Sequence, residues 1–240
     1  MISAVISENG TRDYNEDSYY VSENMVNALY VVADGLGGHG KGEVASKIVV
    51  DTFKENFEKK IILEDDFLNI NITLAQQRIL DEQKRINAPT QMKTTCVALL
   101  VNNKKCNIAY IGDSRVYVFN KNKISHRTLD HSVPQMLFRA KEIKEKDIRN
   151  HPDRNKLLRV IGIPWDTPQF QVLEPIDTSK CQAFLLCSDG FWDFCTEKMM
   201  CKFLKKSKTA DEWLNLMHDE VLKNGKNLDM DNLTAIAVFC

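Results

Sequence analysis

The chain has no apolar run long enough to cross a bilayer. Its longest are strand-sized pieces such as CVALLV at 96–101, against the ~20 residues that a spanning helix needs. The opening MISAVISENGTRDYNED has neither the basic start nor the apolar stretch of a secretory signal. Paired cysteine spacings are missing too: the seven cysteines include no CxxC, which speaks against zinc ribbons and disulfide frameworks. Several of them, Cys96, Cys187 and Cys195, sit inside apolar runs and read as reduced, buried thiols. Neither sign of charge dominates, with 32 basic and 33 acidic residues, so nothing marks a surface for nucleic acid or anionic membrane. No repeat and no low-complexity linker breaks the chain. These absences lead us to expect a cytoplasmic, monomeric protein folded as one domain over residues 1–240.

What is present is a chain with 43% hydrophobic residues, enough for a sizeable core. Short β-like runs recur: SAVIS, DSYYVSE, ALYVVAD, TTCVALLV, KCNIAYIGD, RVYVFN, FLLCSD and LTAIAVF. With turn chemistry between many of them, they predict an antiparallel, sheet-rich domain. Helical spacing predicts helices over about 42–60, 65–87 and 211–224, the last carrying Trp213, Leu214, Leu216, Met217 and Val221. These faces would cover a sheet. Residues 131–162 are charged, lack a strand pattern and contain Pro134 and Pro152, and are expected to form a solvated helical excursion or flap.

Four aspartates stand where an apolar run meets a turn: Asp34 after LYVVA, Asp113 after NIAYIG, Asp189 after FLLCS, and Asp231 before NLTAIAV. Asp is a common turn residue, so any one of them could be only that. If the strands lie side by side, however, their ends gather carboxylates that a core buries only when they are paired or bound to metal. An all-oxygen cluster suits Mg2+ or Mn2+.

The loop GLGGHGKG at 35–42 admits three readings. It fits GxGxxG, and it fits most of a phosphate loop, although Gly42 stands where that loop needs a hydroxyl. Both place Asp34 against a bound phosphate, which its charge would repel unless a cation intervened. In the third reading Asp34 is itself a metal ligand and the glycines let Gly35 offer its carbonyl. The DMD at 229–231 resembles an aspartyl-phosphate motif but precedes its strand where that motif follows one.

The blocks RDYNEDSYY, VVADGLGGHGKGEVAS, TTCVALLV, YIGDSRVYVF, LDHSVPQML, HPDRNKLLRVIG, LLCSDGFWD and DNLTAIAV occur in order along nearly the whole chain. In this the sequence resembles the metal-dependent protein phosphatases of the PP2C type, in their compact bacterial form. The resemblance implies an α+β fold, a four-layer α/β/β/α sandwich of two central antiparallel sheets flanked by helices. It implies hydrolysis of phosphoserine or phosphothreonine by a water or hydroxide bridging two Mn2+ or Mg2+ ions. Asp34 would bridge the ions, with the Gly35 carbonyl on one and Asp189 and Asp231 on the other. Asp113 would serve a third, weaker site with Asp189. Glu16 and Asp17 would orient water, and Arg12 would hold the substrate phosphate. Animal members carry a His after the Asp-Gly pair where this chain has Leu36; His39, inside GGHG, is either a general acid or an organiser of its loop, and water is the alternative proton donor. The implied partners are phosphorylated proteins and a cognate serine/threonine kinase. Two other readings stay open: a catalytically inactive binding module of the same fold, and a nucleotide-binding protein that uses GLGGHGKG.

Overall fold

Period-two alternation decides which residues meet. The run NALYVVA forms a strand buried at every position. Leu29, Val31 and Ala33 pack toward helices, whereas Ala28, Tyr30 and Val32 pack into a core shared with a second sheet. A strand covered on both faces needs no polar side, which is why these runs are nearly continuously apolar.

The computed structural model describes residues 1–24, 26–37, 41–59, 66–102 and 104–240. One sheet orders β1 (Ile2–Glu8), β13 (Leu233–Phe239), β12 (Ala183–Cys187), β8 (Arg115–Asn120) and β9 (Lys123–Arg127). The other orders β10 (Gln171–Val172), β7 (Lys105–Ile111), β6 (Cys96–Asn102), β3 (Asn27–Ala33) and β2 (Ser18–Glu23), with β11 (Ile176–Asp177) also on β7. A small pair joins β4 (Gly35–Leu36) to β5 (Lys93–Thr94). All strand pairings are antiparallel among the described residues.

Helices α1 (Gly42–Lys59) and α2 (Phe67–Arg85) cover the β3 sheet through Ala45, Val49, Phe53, Ile72 and Ile79. On the far side α4 (Asp189–Trp192), α5 (Glu197–Leu204) and α6 (Ala210–Gly225) cover the β13 sheet, α6 through Trp213, Leu214, Met217 and Val221. Between the sheets lie Tyr30, Val32, Leu99, Ile108, Val116, Phe184, Leu186 and Ile236. This is the α/β/β/α order that the resemblance implied. Among the described residues no helix is long and apolar enough to cross a membrane.

Several elements went beyond the sequence reading, among them the short β4, β10, β11 and α4. Helix α5 and strand β9 were not anticipated, since EKMMCKFL is only 8 residues long and KISHR is largely solvated. The segment 131–162 contains α3 (Val133–Arg139) and one 3-10 turn at Glu145–Asp147, but its roots are buried. His131, Ser132 and Gln135 are nearly inaccessible; the two stems pair through a Ser132–Leu157 bridge, and a Thr94–Ile161 bridge ties the second stem to β5. The cysteines are free, and Cys96, Cys187 and Cys195 are buried. Burial pushes the Cys195 thiol up to about 12, leaving it inert at neutral pH.

Candidate active site

Neighbouring strands release their chains at one end of the sandwich, and the released residues line a single cavity of about 990 Å3. Asp34, Gly35, Asp113, Asp189 and Asp231 all reach it, as do Arg12 and Glu16. The structure therefore brings together the four strand-end aspartates. His39 lies outside the described residues.

Asp34 leaves β3 under close backbone control. Its N–H donates to Thr95 Oγ1 at 3.0 Å, and its carbonyl accepts from the Thr95 N–H at 2.9 Å and the Thr94 hydroxyl at 2.8 Å. Gly35 follows in a space no side chain could share, because a Cβ there would stand 2.4 Å from the Gly42 carbonyl oxygen and 2.5 Å from that of Glu16. Its N–H donates to the Glu16 carbonyl at 3.2 Å, and the same carbonyl accepts the Ser46 hydroxyl of α1 at 2.6 Å, locking the loop of Glu16 and Asp17 against both. Gly112, at φ +99°, makes the turn that delivers Asp113. The Asp113 carbonyl accepts Trp192 Nε1–H at 3.0 Å, so the short helix opened by Asp189 also fixes Asp113.

Asp17 is buried, and its Oδ2 accepts the Ser188 hydroxyl at 2.8 Å. Its Oδ1 is buried without a partner. Arg12 forms a two-point pair with Asp231, Nε to Oδ1 and Nη2 to Oδ2, each 3.2 Å. From the flap, Asn155 and Leu157 complete the wall, and Arg154 pairs with Asp193 while its Nη2 lies 3.9 Å from Asp189 Oδ2.

The electrostatics are those of negative charge in excess. Burial first, then the neighbouring aspartates, hold the Asp34 carboxyl well above the usual carboxylate range. Asp113 is raised in the same way. Burial raises Asp189 despite Arg154, and raises Asp17 to about 7. Glu16 is raised by burial and by Glu43. Among the described residues no three such side chains already form a closed metal cage; the carboxylates share a roomy cavity. Their chemistry nevertheless fits hard cations. The donors are all oxygen, one buried carboxylate oxygen is orphaned, and positive charge is what the cluster lacks.

Sequence reasoning missed several residues around the cavity. Asn232 and Ser188 are uncharged neighbours of predicted ligands, and Trp192, three residues after Asp189, was not singled out. The only signal they gave was a polar residue beside an apolar run, which is common in turns.

Residues 8–226 match the protein phosphatase 2C family. The chain belongs to that family. The serine/threonine phosphatase stp of Listeria monocytogenes serovar 1/2a is 33% identical over 236 residues, spanning 95% of this chain and 90% of the relative. The solved structure of serine/threonine phosphatase Stp1 from Staphylococcus aureus superposes with a TM-score of 0.90 at 30% identity, covering 99% of this chain and 94% of that one. The fold is shared as well by the catalytic domain of the phosphatase PstP, solved in complex with two manganese ions (TM-score 0.82, 24% identity, 99% and 97% covered). This protein phosphatase 2C is thus a serine/threonine protein phosphatase of a metal-dependent family, and its substrates are phosphoproteins.

Proposed function

We propose that this cavity hydrolyses phosphoserine and phosphothreonine with two divalent cations, Mn2+ or Mg2+, and that a third can bind more weakly. The observation that carries the reading is the meeting of Asp34, Asp113, Asp189 and Asp231 in one cavity with a single arginine, Arg12, on its wall. Asp34, the Gly35 carbonyl, Asp189 and Asp231 would hold the core ions, and Asp113 with Asp189 the accessory one. Cations so held supply an acidified water as nucleophile and offset charge building on the phosphoryl oxygens.

The chain's own groups do the rest. With Asp231 given over to the cations, the Arg12 fork that pairs with it here would be free to hold two phosphate oxygens, fixing the phosphorus for in-line attack without a covalent intermediate on the protein. Asp17 has a free Oδ1 to accept a hydrogen bond from water and is oriented by Ser188. Glu16 stands on the same wall and can do likewise. No histidine is needed for this arrangement, in keeping with Leu36 in place of the animal-type residue. The chain would act as a single domain and oppose a serine/threonine kinase.

The test is hydrolysis of p-nitrophenyl phosphate and of a phosphothreonine peptide with manganese. Asp34→Asn and Asp231→Asn should each abolish turnover while circular dichroism stays native. Full activity in excess EDTA would exclude the reading, and loss of Mn2+ binding in calorimetry should accompany both variants.

A further inference from the structure

We propose that the flap is a basic docking surface for acidic sequence flanking the phosphorylated residue of a protein substrate; this rests on the phosphatase reading and specifies its substrate class. Between Arg139 and Arg159 stand eight Lys or Arg against four Asp or Glu, in a chain whose 32 basic and 33 acidic residues nearly cancel. The segment is therefore net basic in a chain whose remainder is net acidic.

Ion pairing sharpens the imbalance. Glu145 is taken by Arg127, and Asp153 by Lys156. Arg149 and Arg154 are committed to Glu197 and Asp193 of the body and serve as tethers. Arg139, Lys141, Lys144, Lys146 and Arg159 are exposed and make no ion pair among the described residues. Against these five only Glu142 and Asp147 are left without a cationic partner.

Position makes this surface relevant to the substrate. Asn155 and Leu157 of the same segment form one wall of the cavity, whereas Asp13, Glu16 and Glu43 line it elsewhere. In this proposal a phosphorylated residue in the cavity lies against Asn155 and Leu157, and the chain flanking it continues along the flap that carries the free cations. Their fields act over a Debye length of about 8–10 Å, enough to reach residues flanking the phosphate. They steer encounter and suppress partners of like charge. Acidic flanks are thus drawn onto the flap, and basic flanks find no partner there.

The experiment compares three phosphothreonine peptides of equal length with acidic, neutral or basic flanks, using the full chain with manganese. The expected result is that kcat/KM for the acidic peptide exceeds that for the neutral one by about tenfold at low salt, with the gap closing toward 0.5 M salt as screening removes the field. The triple variant K141E/K146E/R159E should lose that preference while hydrolysing p-nitrophenyl phosphate as the parent does. Equal rates on all three peptides, a preference for basic flanks, or a preference indifferent to both salt and charge reversal would overturn the proposal alone. Failure to hydrolyse any of the four substrates would overturn the phosphatase reading itself. The salt series on the unaltered protein decides the matter even if the triple variant folds poorly.

Discussion

The side-chain oxygen of Asn232 accepts the backbone N–H of Glu16 at 2.8 Å. The same buried amide donates to the carbonyls of Asn9 at 2.9 Å and Tyr14 at 2.8 Å. One residue thereby clamps both ends of the loop that carries Arg12 to the turn before β13 that carries Asp231. Asn232→Ala should cost about 1–3 kcal/mol by stranding these backbone groups, read as a lower melting temperature. Because Arg12 grips substrate phosphate in the proposed mechanism, KM should rise more than kcat falls. In an Arg12→Ala background the further loss in kcat/KM should be much smaller, since coupled residues are not additive; full additivity would show that Asn232 does not act through Arg12.

Acidity should stabilise the protein when cations are withheld. Asp17 is raised from 3.8 to about 7, chiefly by burial, and Asp34, Asp113 and Asp189 shift the same way. A raised carboxyl means that the folded state favours the protonated form. Its stabilising contribution is complete below the ordinary carboxylate value and disappears as pH rises through the folded value. In EDTA the melting temperature should therefore be higher at pH 5 than at pH 7.5. Manganese at 100 times its dissociation constant should add about 2.7 kcal/mol at pH 7.5, worth roughly 5–10 °C in a chain of this size. A melting temperature unaffected by pH and metal alike would refute this account of the cluster.

Asp34→Asn separates stability from activity. The substitution keeps the side chain's shape but removes the carboxylate most surrounded by others, with Asp17, Asp189, Asp113 and Asp231 all acting on it. Turnover should vanish, yet the metal-free variant should be more stable than the parent by about 0.5–2 kcal/mol, the usual gain on relieving a strained functional site. Denaturant unfolding in EDTA measures it. A less stable variant would mean that the Asp34 charge is compensated in some other way.

The legible and illegible parts of this site differ for physical reasons. Asp34, Asp113, Asp189 and Asp231 stood out because a carboxylate at the end of an apolar strand contradicts the burial around it. The strands themselves were readable because coverage on both faces leaves runs such as those of β3 and β13 almost wholly apolar. Arg12, Glu16 and Asp17 lie in a polar turn where charge is unremarkable, and only the family resemblance selected them. Asn232 and Ser188 stayed hidden because their importance lies in hydrogen bonds to residues more than 150 positions away. No local pattern encodes such contacts. The flap's buried roots escaped for a similar reason: His131 bonds to Gly112, N–H to carbonyl at 2.8 Å, through a pairing that its charged surroundings conceal.

Removing Arg115 should be among the most damaging single changes to stability. Its guanidinium is buried, with Nε and Nη2 donating to the two oxygens of Asp130 at 2.8 and 2.7 Å and Nη1 to Tyr117 Oη at 3.1 Å. It lies 3.4 Å from the ring centroid of Trp192, the residue whose indole N–H holds Asp113. Arg115→Ala strands the Asp130 carboxylate, whose side chain is 2% exposed, and should cost about 3–5 kcal/mol. Arg115→Lys keeps the charge but loses the fork and the stacking, so it should recover only part of the loss. Removing both charges in Arg115→Met/Asp130→Leu should be less harmful than Arg115→Ala alone, because the penalty comes from an unpaired buried ion more than from the missing attraction. Denaturant midpoints for the four proteins decide it: if the double variant is the least stable, the pair is a net source of stability and the reasoning from desolvation fails.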